Sequence, residues 1–240
     1  MDLSIVIPVF NEADGIELLL GEIPAQLDGM LDYEILVVDD GSTDSTPAVL
    51  QHCRGRQSRL RVLRHRERCG QSAAIVSGVT AARAPWIATL DGDGQNDPAD
   101  ITKLYRAMEQ SADRVMLLAG YRRVRRDTWL RRISSRIANS VRGALLCDNT
   151  PDTGCGLKLF PRALFLQLPQ FDHMHRFLPA LVQRQGGAVQ SIEVSHRERQ
   201  RGYSKYGVMN RLWVGIVDLV GVWWLIRRRM RPTVAEIGRT

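Results

Sequence analysis

The sequence predicts an α/β fold built on a mostly parallel, doubly wound sheet, and two observations carry that prediction. Apolar, β-branched runs alternate with helix-spaced segments from residue 3 to about residue 110, the pattern of successive βαβ units. Two of those runs, Glu34-Ile35-Leu36-Val37-Val38 and Trp86-Ile87-Ala88-Thr89-Leu90, end in acidic glycine turns: Asp39-Asp40-Gly41-Ser42 and Asp91-Gly92-Asp93-Gly94-Gln95. Buried strands that stop this way set carboxylates along one sheet edge, where open α/β sheets bind ligands.

The elements follow in order. Leu3 to Val9 reads as the first strand, closed by Pro8 and the polar Asn11-Glu12. Ala13 to Leu27 is helical, with Ile16, Leu19, Leu20 and Ile23 on one face. Glu34 to Val38 is the second strand, and the polar run from Ser42 to Thr46 offers caps ahead of Pro47 for the next helix. Arg61 to Arg64 is the third strand. Cys69-Gly70-Gln71-Ser72 opens a small-residue helix to about Ala82, Trp86 to Leu90 is the fourth strand, and Asp97-Pro98-Ala99-Asp100 caps a helix through Met108. The second half is less regular. Strands are expected at Val115 to Ala119, Leu157 to Phe160 and Val189 to Val194, with a helix from Phe177 to Gln185 and an arginine-rich stretch from Gly120 to Arg142.

A length of 240 residues suits one large α/β domain, here expected over residues 1–208, with a carboxyl-terminal segment from 209 to 240. Leu212 to Ile226 is apolar apart from Asp218 and two glycines, holds Trp213, Trp223 and Trp224, and runs into Arg227-Arg228-Arg229. Fifteen helical residues reach about 22 Å, short of the roughly 30 Å of hydrocarbon a spanning helix crosses. Tryptophans beside arginines fit a helix lying in the interface of an anionic leaflet. The alternative is a helix packed on protein or at a subunit contact. The formal charge of +7 points to anionic partners. Few aromatics interleave with the basic runs and no nucleic-acid module is present, so no nucleic-acid partner is expected. Cys53, Cys69, Cys147 and Cys155 lack metal-like spacing and read as reduced thiols. Met1-Asp2-Leu3-Ser4 runs straight into a strand, so no leader is expected.

Carboxylates one residue apart on a glycine turn can grip a hard divalent cation, whose other ligand is commonly a phosphate. Taken alone, Asp39 to Ser42 is equally a turn with a helix cap. A calcium loop at Asp91 fails, because Asn96 stands where glycine is needed and Thr102 where glutamate is. No GxxxxGK[ST] occurs, against a P-loop nucleotidase. His173 and His175 read as packing residues in an aromatic setting, and His52, His65 and His196 earn no ligand role.

Four motifs then occur in order: Ile7-Pro8-Val9-Phe10-Asn11-Glu12, Val38-Asp39-Asp40-Gly41-Ser42-Thr43-Asp44, Leu90-Asp91-Gly92-Asp93-Gly94-Gln95-Asn96-Asp97-Pro98 and Gly202-Tyr203-Ser204-Lys205-Tyr206-Gly207. With them the chain resembles glycosyltransferase family 2, with its Rossmann-like GT-A fold. The resemblance runs closest to the dolichol-phosphate mannosyltransferase-like, polyprenyl-phosphate branch. It implies an inverting, Mg²⁺- or Mn²⁺-dependent transferase that uses a nucleoside-diphosphate sugar. It places Pro8, Asn11, Glu12, Asp39, Asp40, Gly70, Gln71 and Asp91 at the nucleotide donor, and Asp91, Asp93 and Gln95 at the metal. Asp91, Asp93, Arg122 and Asp152 become the catalytic candidates.

The same resemblance gives Arg122, Arg132, Arg136, Arg197, Ser204 and Lys205 to the phosphate of a polyprenyl acceptor. A lipid phosphate is already an anion, so it needs positioning and charge screening rather than a strong base. A hydroxyl acceptor would need a carboxylate base, for which Asp152 is the candidate unless it shapes its turn. A non-catalytic nucleotide-sugar binder is the other alternative. Many members of this branch carry two or more spanning helices; this chain shows one short segment. Placement on the cytoplasmic face of the membrane is therefore expected, peripheral or monotopic, with a membrane-protein partner or a second copy as further contacts. GDP-mannose and UDP-glucose both remain open as donors.

Overall fold

The computed structural model describes residues 1–111, 115–122, 142–143, 145–146, 148, 150–197 and 208–228. Its strands are β1 (Leu3–Val9), β2 (Tyr33–Asp39), β3 (Leu60–Arg64), β4 (Trp86–Thr89), β5 (Val115–Arg122), β6 (Lys158–Pro161) and β7 (Ala188–Val194). The helices are α1 (Ala13–Leu27), α2 (Thr46–Arg56), α3 (Gln71–Ala81), α4 (Ala99–Glu109), α5 (Arg162–Leu166), α6 (Leu178–Arg184) and α7 (Val208–Arg227), with a 3-10 turn at Met174–Arg176. One seven-stranded sheet runs β3-β2-β1-β4-β6-β5-β7. Neighbours are parallel except around β6, which is antiparallel to β4 and β5.

Strand periodicity sorts the core. Leu3, Ile5, Ile7 and Val9 of β1 turn to one face, where they meet Ile16 and Leu20 of α1, Leu50 of α2 and Leu104 of α4. Val6 and Leu36 turn to the other, against Ile75 and Val79 of α3, Phe165 of α5 and Leu181 of α6. Helix α1 runs through Pro24, which cannot donate to the Leu20 carbonyl. The Gln57 side chain supplies that donor at 2.9 Å. Ahead of α2, Asp44 accepts the Thr46 N–H at 2.9 Å, and ahead of α4, Asp97 accepts the Ala99 N–H at 2.9 Å.

Three boundaries differ from the sequence reading. Strand β5 runs on to Arg122, beyond Ala119, so the first residues of the arginine-rich stretch belong to the sheet. Helix α5 was not expected; it is a five-residue turn directly after β6. Helix α7 begins at Val208, and its 20 residues reach about 30 Å. No helix among the described residues is long and apolar enough to cross a membrane. One face of α7 packs on the second core through Val222, with Leu219, Trp223 and Ile226 beside it. Arg184 ties it down by donating to the Leu225 carbonyl at 3.1 Å. Ile216, Val217, Val220 and Trp224 stay exposed.

Candidate active site

Three parallel strands bring the two acidic turns to one edge. The Asp40 N–H donates to Val9 O at 2.9 Å and the Leu90 N–H to Val6 O at 3.1 Å, so each turn leaves the sheet beside β1.

In the first turn the two aspartates have different surroundings. Asp40 is buried and accepts three N–H groups: His65 Nδ1 at 2.8 Å, and the backbone of Cys69 and Gly70 at 2.8 Å each. His65 in turn reaches Ser77 Oγ at 2.9 Å. Ligand atoms of Asp40, His65 and Cys69 lie within 4.8 Å of one another. Both His65 nitrogens are already hydrogen-bonded, so the cluster is a closed clamp joining β2, β3 and the start of α3. Asp39 is just as buried, yet only its Oδ1 has a hydrogen bond, from the Ser42 N–H at 2.9 Å. Its Oδ2 lies 3.2 Å from Arg64 Nε without hydrogen-bond geometry. Among the described residues that oxygen accepts no hydrogen bond and has only the Arg64 charge beside it. Gly41 holds φ +72°, and a Cβ there would stand 2.7 Å from the Glu67 carbonyl carbon, so the turn needs glycine.

Asn11, at φ 56°, accepts the Thr43 N–H at 2.8 Å, and its own N–H donates to Ser42 Oγ at 2.9 Å. The Glu12 N–H donates to Thr46 Oγ1 at 2.9 Å. These two residues therefore lace the end of β1 to the first acidic turn, whatever else they bind.

The second turn holds its charge with fewer donors. Asp91 receives Gln71 Nε2 at 2.9 Å, and Asp93 receives the Gln95 N–H at 3.1 Å. Burial, reinforced by the neighbouring Asp93, pushes the Asp91 carboxyl up to about 6, although Lys158 and Arg122 pull the other way. Gly156 makes the close approach possible: a Cβ there would sit 2.2 Å from the Asp91 carboxylate. Two repelling carboxylates with so few donors could hold a hard divalent cation through their oxygens.

A cavity of about 330 Å³ opens beside Asp91, lined also by Pro8, Gln71, Asp152, Lys158 and His175. Asp93 lines a different hollow of about 480 Å³, shared with Glu12, Glu22 and Arg197. Half-buried Arg122 and buried Asp152 form a fork, with Nε to Oδ2 at 2.7 Å and Nη2 to Oδ1 at 3.1 Å. Burial opposes the Arg122 charge, and the hydrogen bonds and charge of Asp152, together with Cys155 and Asp91, more than offset it and hold the guanidinium above its ordinary pKa. The Arg197 guanidinium sits between Glu22 at 2.6 Å and Asp97 at 2.8 Å, and the Arg197 backbone N–H donates to Gln95 O at 3.0 Å. Arg132, Arg136, Ser204 and Lys205 lie outside the described residues.

The sequence reading gave two residues of this region no part in the site. Lys158, in a strand read only as apolar, is buried and donates to the Thr153 and Cys155 carbonyls. A lysine inside a core strand was the available signal. His175 lines the cavity and meets Ser72 Oγ at 2.7 Å, and nothing in its sequence neighbourhood distinguished that from packing.

A model of the family Glycosyl transferase family 2 matches residues 4–168. A dodecaprenyl-phosphate galacturonate synthase of Rhizobium johnstonii is 37% identical over 243 positions, spanning 97% of this chain and 69% of that one. An undecaprenyl-phosphate 4-deoxy-4-formamido-L-arabinose transferase of Edwardsiella ictaluri is 34% identical over 208 positions, with 86% of this chain and 63% of that one covered. This chain thus spans about two thirds of the length of such relatives. Among solved structures, glucosyl-3-phosphoglycerate synthase from Mycobacterium tuberculosis, determined with Mn²⁺, uridine diphosphate and glucosyl-3-phosphoglycerate, superposes with a TM-score of 0.69. Its identity is 18%, over 94% of this chain and 79% of that one, a likeness of fold.

Proposed function

The chain belongs to glycosyl transferase family 2, and on that premise we propose that it moves a sugar from a nucleoside diphosphate to a polyprenyl phosphate at a membrane surface. The observation that carries this reading is the cavity lined by the donor-poor Asp91 and by Asp152, the carboxylate that holds Arg122. A Mg²⁺ or Mn²⁺ ion on Asp91 and Asp93 would supply charge stabilisation for the departing nucleoside diphosphate. Gln71 orients Asp91 for that role, and Asp39 offers its unfilled oxygen to a base or ribose donor.

The Arg122–Asp152 fork favours a phosphate acceptor over a hydroxyl. Both Asp152 oxygens are engaged by Arg122, which suits the carboxylate to holding an arginine rather than to taking a proton. The arginine so fixed can screen an incoming phosphate anion. Arg197 stands between Glu22 and Asp97 beside the neighbouring hollow, and Lys205 and Ser204 are assigned to the acceptor by their motif. The outward stripe of Ile216, Val217, Val220 and Trp224, with Arg227 and Arg228 at its end, supports contact with an anionic leaflet.

The test is a transfer assay with Mg²⁺ or Mn²⁺, undecaprenyl phosphate and radiolabelled donors, scoring label in the organic phase. GDP-mannose and UDP-glucose belong in the panel, as do donors of the galacturonate and formamido-arabinose types that the relatives' names carry. Label from one donor supports the reading. Transfer only to sugar hydroxyls, or nucleotide binding without transfer, overturns it.

A further inference from the structure

Asp218 is the only charged residue between 215 and 226, in an otherwise apolar stretch of α7. It lies on the side of the helix that meets the protein. Val222, four residues on, is buried there with Trp223 and Ile226 beside it, whereas Ile216, Val217, Val220 and Trp224 face out. A carboxylate on such a face costs free energy unless it has a partner. That partner is His173, whose Nδ1 stands 2.9 Å from Asp218 Oδ2.

His173 holds φ 63°, a left-handed backbone that a residue with a side chain keeps only where its surroundings fix it. Asp172 Oδ1 accepts the His173 N–H at 2.8 Å, and Asp218 meets the ring. The 3-10 turn that follows, Met174–Arg176, bears on the start of α3. The Ser72 hydroxyl accepts the His175 backbone N–H at 3.3 Å and lies 2.7 Å from the ring Nδ1. A Cβ on Gly70 would stand 3.4 Å from Asp172 Oδ1. Residues 172–175 therefore pack on Gly70-Gln71-Ser72. That short segment serves both acidic turns: the Gly70 N–H donates to Asp40 at 2.8 Å, and Gln71 Nε2 donates to Asp91 at 2.9 Å.

We propose that Asp218 is a positioning residue of the active site, acting through His173 to hold the start of α3 where it supports nucleotide and metal binding. Helix α7 then braces the site from behind as well as presenting its outer stripe to a membrane. This rests on the transferase reading, and it gives part of the site to residues beyond 168, where the family match ends.

The experiment is equilibrium binding of UDP and of GDP, each with Mn²⁺, to the full chain without lipid. Asp218→Ala and His173→Ala are each expected to weaken the better-bound nucleotide about fivefold, within the range of measured pair couplings. The double variant should bind no more weakly than either single one, because residues that act through one contact do not add. Asp218→Asn keeps the size and removes the charge. It should lose most of the same affinity, which keeps the test decisive if the alanine variant does not fold. Binding to phosphatidylglycerol vesicles should survive the Asp218 substitutions, since Val222, Trp223 and the Arg184 bond to Leu225 still hold α7 in place. Undiminished nucleotide affinity in the single variants, or losses that multiply in the double one, overturns the positioning role and leaves the transferase reading standing. An unsubstituted protein that binds neither nucleotide removes the transferase reading and this inference together.

Discussion

The turns after β2 and β4 share one sequence signature, an apolar strand running into aspartates and glycine, and the fold gives them different surroundings. At the first, Asp40 collects three N–H donors and becomes a clamp between β3 and α3. At the second, Asp91 has one donor, a like charge nearby and a carboxyl pushed up to about 6. Satisfied carboxylates hold structure, and under-satisfied ones are available to a ligand. Asp39, with one oxygen hydrogen-bonded and the other facing only the Arg64 charge, lies between these cases.

Substitutions can break that comparison. The largest effect is expected from Asp93→Ala, which should reduce metal-dependent transfer about a thousandfold or more, since a metal's charge stabilisation is worth several kcal/mol. Circular dichroism should show the fold intact, and retained turnover would remove Asp93 from the metal site. Next comes Gly156→Ala. Its methyl would overlap the Asp91 carboxylate, so displacement of that group should lower kcat by about a hundredfold. Normal kcat in this variant would show that the position of Asp91 is unimportant.

Asp40→Asn and Asp39→Asn separate the two roles within one turn. The first sets an amide against N–H donors and should cost about 2–4 kcal/mol of stability in a denaturant titration. The second should spare stability more and weaken nucleotide binding by about tenfold. Equal effects on both measurements would dissolve the distinction.

The smallest effect concerns pH. Asp91 has a folded value of about 6 against an ordinary 3.8, so the folded protein holds this proton more tightly than the unfolded chain. In the metal-free protein its contribution to stability therefore declines as pH rises from about 4 to about 6. A cation must displace that proton, so Mn²⁺ affinity should fall as pH drops below about 6, approaching tenfold per unit. Asp91→Asn should remove that proton-linked slope. An unchanged slope would assign the titration elsewhere.

Local pattern made most of this molecule legible. The seven strands were all expected, and α1 was read at its observed ends, because strand alternation and helical spacing are properties of neighbouring residues. The carboxylate turns were legible for the same reason. Strand direction around β6 and the extension of β5 to Arg122 were not, because pairing partners come from distant parts of the chain. That extension is what sets Arg122 against Asp152, thirty residues on.

The sequence by itself determined where acidic groups would gather, since each strand carries its turn to the same edge. Only the tertiary structure decided which of them would be satisfied. The donors that close off Asp40 come from His65, Cys69 and Gly70, and the one that meets Asp91 comes from Gln71. Ser72, which orients His175, reaches it across 103 residues. Hydrogen-bond satisfaction depends on angles and distances between groups far apart in the chain, and those are fixed only when the sheet and its helices pack.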